Sequence, residues 1–162
     1  MKKSDMEKLK LFGEYDQKQL AELWGYKSYD AIRRGIVTPS GTNLIILFVT
    51  YQKVSYTTQY EDGLHGDVLK MSGEKGHVND KRLERNLSEP KDDIYLFYRE
   101  KHHSKFIYMG NVLITDADIL QNEPSKFTFK IPSLKQEANS MKFFSLKISD
   151  PNATDFVITK TF

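Results

Sequence analysis

Six consecutive apolar residues, Leu44-Ile45-Ile46-Leu47-Phe48-Val49, follow a turn signal at Pro39, Ser40 and Gly41. A run this short and this continuous predicts a strand buried on both faces, since a half-exposed strand alternates apolar with polar. A second such run, Ile94 to Arg99 (IYLFYR), predicts another. Two strands of this kind demand a layer on each side of a sheet, and that requirement constrains the rest of the chain.

Other strand signals follow. Residues 54–60 (VSYTTQY) are β-branched and aromatic. Asp67 to Met71 is a weaker strand, and Phe106 to Thr115 is a strong one with Gly110 placed for a bulge or bend. Phe127, Phe129 and Ile131 alternate with polar residues, as do Phe144, Leu146 and Ile148, and the tail Phe156 to Phe162 could add a last strand. Residues 133 to 142 are polar and read as helix or loop. The helical signals come early. Asp16 can cap a helix with Gln19 at the return position of a capping box, and Leu20, Leu23 and Trp24 share one face. Ser28 can cap a second short helix holding Tyr29, Ala31 and Ile32, which Gly35 ends. The pair resembles a helix-turn-helix in outline, but a helical plug at one end of a sheet is the simpler reading. Arg33 and Arg34 then lie exposed at a helix C-terminus, where the dipole favours them.

Regular helices do not separate the strands, so a doubly wound parallel sheet is not expected. The expected class is α+β: a curved mixed sheet or partly open β-barrel with a short N-terminal helical pair. Residues 1–15 read as a short helix or lead-in, and residues 16–162 as one domain, with the helical pair at 16–35. The 162 residues suit a single domain. A long charged segment, residues 72 to 92, interrupts the sheet, with one helical turn expected at Arg82 to Leu87. Loops of that length inside a compact domain are usually functional.

The chain has no cysteine, which excludes disulfides, thiolate zinc sites and cysteine nucleophiles. No apolar run is long enough to cross a bilayer, and the polar, lysine-rich start carries no secretory signal, so a cytoplasmic setting without membrane is expected. A net charge of +2 gives no general affinity for nucleic acid, so any such site must be locally basic. Neither a glycine-rich phosphate loop nor a nucleophile elbow occurs. The histidines, His65, His77, His102 and His103, match no zinc spacing. Asp67 with Glu74 and Lys75 imitates a metal-nuclease core only loosely, because Glu74 sits between Gly73 and Gly76. No cofactor, metal or catalytic group is therefore expected in this domain.

The informative stretch is residues 60–85, YEDGLHGDVLKMSGEKGHVNDKRLER, which holds four of the nine glycines. An aromatic ring, an acid and glycines can form a pocket for a flat polar base. The ring stacks, the carboxylate accepts from an exocyclic amine, and glycine lets the backbone approach. The order Tyr-Glu-Asp, glycine-containing spacer, strand and Ser-Gly resembles the SRA (YDG) domains, β-barrel-like readers of modified cytosine that flip the base out of DNA. The resemblance implies that Tyr60 stacks and that Asp62 bonds the cytosine edge, with one spacer residue deleted. Ser72 and Gly73 fall on the family's Thr-Gly. Met71 stands where the family has a second stacking aromatic, and Gly76 alone stands for its Gly-Gly.

A second similarity spans most of residues 16–115. The segments GYKSYDAIRRGIV, NLIILFVT, DDIYLFYREKHHSKFIYMG and NVLIT look like the C-terminal domain of bacterial helicase-nucleases of the modification-dependent restriction type. Arg99, Phe106, Tyr108 and Gly110 fall on its strand motifs. Both resemblances imply a non-catalytic module for double-stranded DNA carrying a modified base, 5-methyl- or 5-hydroxymethylcytosine, with cleavage supplied by a nuclease or helicase partner. Lys75, Lys81, Arg82 and Arg85 would hold the DNA backbone, with Lys101, His102, His103 and Lys105 as a second phosphate patch. Two other readings stand beside this one. One is a small metal-dependent nuclease using Asp67 and Glu74, or the histidines. The other is a protein-interaction module that binds through residues 16–35.

Overall fold

A computed structural model describes residues 1–52 and 63–136. The strand expected at 54–60, with Tyr60 and Asp62, and the strands expected after residue 143 lie outside the described residues. The N-terminal elements are α1 (Lys3–Glu7), β1 (Glu14–Tyr15), α2 (Gln17–Leu23), a 3₁₀ turn (Tyr29–Ile32) and β2 (Ile36–Val37). Next come β3 (Leu44–Gln52), β4 (Gly63–His65), β5 (Val68–Ser72) and α3 (Asp80–Ser88). The last are β6 (Asp93–Lys101), β7 (Phe106–Asp118), β8 (Lys126–Lys130) and α4 (Pro132–Gln136). The strands form one sheet in the order β2-β3-β6-β7-β8-β5-β4, and β1 pairs with β7 off this path. β3 and β6 run parallel, Leu44 opposite Asp93 and Thr50 opposite Arg99, while the other pairings are antiparallel. The class is α+β with a mixed, open sheet.

The two apolar runs are buried on both faces because each face meets its own core. Along β3, Ile45, Leu47 and Val49 point into the concave side with Ile94, Leu96 and Tyr98 of β6. That side is completed by Leu69 and Met71 of β5, Phe127 and Phe129 of β8, Leu83 of α3 and Leu134 of α4. The alternate residues Leu44, Ile46, Phe48, Tyr95 and Phe97 face the opposite side, where Met6, Leu20, Trp24 and Ile32 of the N-terminal helices cover them. The N-terminal helices are thus a layer on one face rather than an end plug. Their caps follow the sequence: Asp16 Oδ1 accepts from the Gln19 amide at 2.7 Å, and Ser28 Oγ accepts from the Asp30 amide at 3.2 Å. Residues 1–15 are tied in as well. Met6 is fully buried. The Phe12 amide donates to the Tyr108 carbonyl at 2.7 Å, and the Tyr108 amide donates to that of Gly13 at 2.9 Å.

Gly110 carries a bulge, as its position suggested. Leu96 opposes Gly110 but Phe97 opposes Tyr108, so Met109 is the extra residue. The shift puts both Met109 and Val112 in the concave core, which strict alternation would forbid. The sheet then curls until its β4 end meets β3. Gly63 has φ +131°, and a Cβ there would lie 2.6 Å from Cδ2 and Cε2 of Tyr51. Both the backbone and the space therefore require glycine. Gly63→Ala is expected to lose about 1–3 kcal/mol in a urea titration. Adding Tyr51→Ala should recover only the steric part of that loss, leaving the backbone part. Full stability of the single variant would contradict the close approach of the sheet's two ends.

Candidate nucleic-acid interface

Three of the residues assigned to base binding converge at this seam. Met71, Ser72 and Gly73, at the end of β5, line a cavity of about 200 Å³ whose other walls are Gly35, Ile36, Phe48 to Tyr51, Gly63 and Glu74. Met71 is nearly buried and pairs with Phe127 of β8, so it offers only an edge to the cavity. Ser72 Oγ accepts from Lys126 Nζ at 2.7 Å. Gly73 is required by packing, because a Cβ would lie 2.8 Å from Phe127 and 3.2 Å from Asp80 Oδ1. Its amide donates to the Ser125 carbonyl at 2.7 Å. Tyr51 is an aromatic lining residue that motif reading did not single out. The signal was its place two residues beyond the buried run, where the strand leaves the core.

The loop after β5 is fastened by a buried acid. Asp80 Oδ2 accepts from Ser125 Oγ at 2.6 Å and contacts His77 Nδ1 at 2.7 Å. The aspartate lies between serine and histidine, and Ser125 is fully buried, so the trio cannot act as a nucleophile relay. It joins the start of α3 to β8. Asn79 Nδ2 adds a bond to Glu74 Oε1 at 2.7 Å. Asp67 pairs with Lys130 at 4.0 Å at the far end of β5. At about 3.3 Å per strand residue, β5 holds Asp67 and Glu74 well beyond the span of one metal ion. Among the described residues no three of His, Cys, Asp and Glu group as metal ligands.

The first set of expected phosphate contacts divides. Lys75 and Lys81 are exposed. Arg82 is committed inside the fold, its Nη2 at 2.8 Å and Nε at 3.2 Å from the two oxygens of Asp92, with Nη2 also 3.1 Å from the Thr42 carbonyl. Arg85 reaches the same carboxylate at 3.3 Å, and Asn86 Nδ2 at 2.9 Å. α3 is therefore a full helix rather than one turn, held by a polar bracket around Asp92.

The second set lies at the opposite end of β6, about 25 Å away at the usual strand rise. Lys101, His102, His103 and Lys105 form an exposed hairpin tip, with His103 at φ +68°. Lys101 and Lys105 line a separate depression with Glu14 and Glu100, whereas His102 and His103 line a cleft of about 390 Å³ that also takes in Arg33, Arg34 and Arg99. Arg99 is fixed there: Nε donates to Thr50 Oγ1 at 2.8 Å, Nη1 donates to the Ser104 carbonyl at 3.0 Å, and the guanidinium lies 4.1 Å from the Phe106 ring centre. Burial lowers its pKa, yet an arginine stays charged at neutral pH. His102 touches Arg99 Nη2 at 3.4 Å and stands edge-on to His103 at 4.3 Å. Desolvation, then the charges of His103 and Arg99, hold His102 below its ordinary pKa. The described residues lining this cleft include no acid. Gly35, Phe48 and Thr50 line both this cleft and the cavity, so the two adjoin.

Fold and site together define an α+β domain on an open mixed sheet, with a small cavity at its seam and a basic cleft beside it. The family described as domain of unknown function DUF3427 matches residues 9–146, and the chain belongs to that family. No curated protein matches it. Among the described residues no helix is long and apolar enough to cross a membrane.

Proposed function

We propose that this chain is a non-catalytic DNA-binding module that reads a modified cytosine by taking the flipped base into the seam cavity. In the cell it would serve modification-dependent restriction in the cytoplasm beside a nuclease or helicase partner, with the cut made by nuclease chemistry outside this chain. The observation that carries the reading is the convergence of Met71, Ser72 and Gly73 on one cavity with Gly63, the residue that directly follows Tyr60-Glu61-Asp62 in sequence. The likeness to SRA (YDG) domains, including a curled and incompletely closed sheet, supports the same reading. Tyr60 stacks on the base and Asp62 accepts from its amino group. Tyr51 supplies aromatic surface that Met71 does not.

The test is a binding panel of duplexes containing plain, 5-methyl-, 5-hydroxymethyl- and N4-methylcytosine. One modified duplex should bind more tightly than the plain one. Tyr60→Ala should remove about 1–3 kcal/mol of that preference, the usual worth of a base–aromatic stack. Asp62→Ala should remove about 1–3 kcal/mol by leaving the amine unpaired. Affinity for plain DNA should change little, since it rests on phosphates. Equal affinity for all four duplexes would refute the reading.

A further inference from the structure

The cleft between the 3₁₀ turn and the β6–β7 hairpin gathers five basic side chains from parts of the chain far apart in sequence. Arg33 and Arg34 come from the end of the 3₁₀ turn, Arg99 from β6, and His102 and His103 from the hairpin. Three of them are guanidinium charges, which do not collect in a cleft without cost, and the described residues that line it include no carboxylate to neutralise them. The nearest carboxylate to Arg33 is Asp30, on its own turn at 3.9 Å, and both side chains are largely exposed. Arg99 meets the Thr50 hydroxyl, the Ser104 carbonyl and His102 Nδ1, so its charge has no carboxylate counter-ion among those bonds. The walls are aromatic: Phe106 under Arg99, and Tyr29 beside Arg33 with 5.7 Å to the ring centre. Arg99 directs Nε, Nη1 and Nη2 at Thr50, Ser104 and His102 and so acts as a fixed charge, while the exposed guanidinium of Arg33, beside a ring, keeps donors suited to phosphate oxygens.

We infer that this cleft is a phosphate site for a DNA strand, and that it holds the phosphodiester adjoining the nucleotide whose base enters the seam cavity. The inference deepens the function proposed above and rests on it. It assigns the main backbone contact to Arg33 and Arg34, with His102 and His103 beside them and Arg99 as a fixed charge behind them, rather than to α3, whose Arg82 is already committed to Asp92. The shared wall of Gly35, Phe48 and Thr50 supports placing base and phosphate of one nucleotide on its two sides. Gly35 adds no side chain to that wall, so a sugar–phosphate chain can pass over it closely.

The experiment uses the full chain and fluorescence anisotropy with labelled duplexes, plain and 5-methylcytosine-bearing, across a range of salt. The variants are Arg33→Gln/Arg34→Gln and His102→Gln/His103→Asn. The arginines are exposed, and asparagine tolerates the left-handed backbone of His103, so both variants retain the fold. At low salt the arginine variant should bind both duplexes about tenfold more weakly, with a salt slope shallower by about one to two units. The histidine variant should weaken both duplexes in the same direction, and neither variant should alter the modified-to-plain ratio. Wild-type affinity and slope in the arginine variant would overturn the inference. A ratio of one in the unaltered chain would overturn base reading, while a lost slope in the arginine variant would still support the phosphate site. NMR of the His102 and His103 rings separates the sources. Shifts on adding plain duplex support a nucleic-acid phosphate, whereas shifts with inorganic phosphate and none with duplex overturn it.

Discussion

Asp92→Ala should lower folding stability by roughly 3 kcal/mol, toward the low end for breaking a buried ion pair, because Arg82 keeps about a quarter of its side chain in solvent. The Asp92 side chain is only 2% exposed and binds Arg82, Arg85 and Asn86 at once. Removing it leaves the Arg82 guanidinium with the Thr42 carbonyl and the Asn86 amide with the Arg82 carbonyl, but takes away the one carboxylate that both share. The pH dependence has a definite sign. Burial raises the Asp92 pKa, but hydrogen bonds from Arg82 and Asn86 and the charges of Arg82 and Arg85 outweigh it, so the net shift is downward. A carboxylate depressed by folding contributes stability that is complete above its unfolded pKa of about 4, and that is lost as pH falls through the lower folded value. Denaturant titrations from neutral pH to about pH 2 should show a flatter acid limb for Asp92→Asn than for the unaltered chain. Parallel acid limbs would mean that the bracket is not formed.

Phe97→Ala should cost about 3–5 kcal/mol, the usual range for emptying a buried aromatic site. Phe97 is fully buried and meets three rings: Phe48 at 5.0 Å, Tyr108 at 5.0 Å and Trp24 at 5.9 Å between centres. It joins the helical layer to both central strands. Phe48 in turn meets Phe106 at 5.1 Å, and both line the basic cleft. A collapse toward the empty site should therefore weaken plain DNA as well as stability. Thermal melting reads the first effect and anisotropy with plain duplex the second. Loss of stability with unchanged affinity would separate the cleft wall from this ring cluster.

The strongest sequence signals were those that depend on burial alone. Continuous apolar content in Leu44–Val49 and Ile94–Arg99 reports a core on each face whatever the partners, and both runs are central strands. Asp16, Ser28 and Gly110 were legible because capping and bulging are local. Partner choice was not legible. Nothing in the apolar pattern says that β3 pairs parallel to β6, and that pairing aligns Thr50 with Arg99 and opens the cleft at their common end. Arg33 and Arg34 looked like an ordinary helix-end pair, since their relation to Arg99 exists only in three dimensions. Helix α3 was undersized in the reading because one wholly buried apolar residue, Leu83, marks its inner face. Polar bonds to Asp92 do the remaining work, and they have no periodicity. The end of β5 drew notice only through its resemblance to SRA domains, and its approach to Tyr51, which follows from the curl of the sheet, had no signal in the sequence.

The parallel β3–β6 ladder also bears on how the chain acquires its shape. A parallel pair cannot be closed by a tight hairpin, and the intervening chain here carries β4, β5 and α3. The entropy of closing that long segment must be met before the ladder returns any free energy, which is the signature of high contact order. The antiparallel meander β6-β7-β8 has short connections and can form early, offering β6 as a template on which β3 docks late. Cavity and cleft are both lined by residues of β3, so neither is assembled until that last docking. A newly made chain would therefore lack both cavity and cleft until folding is almost finished.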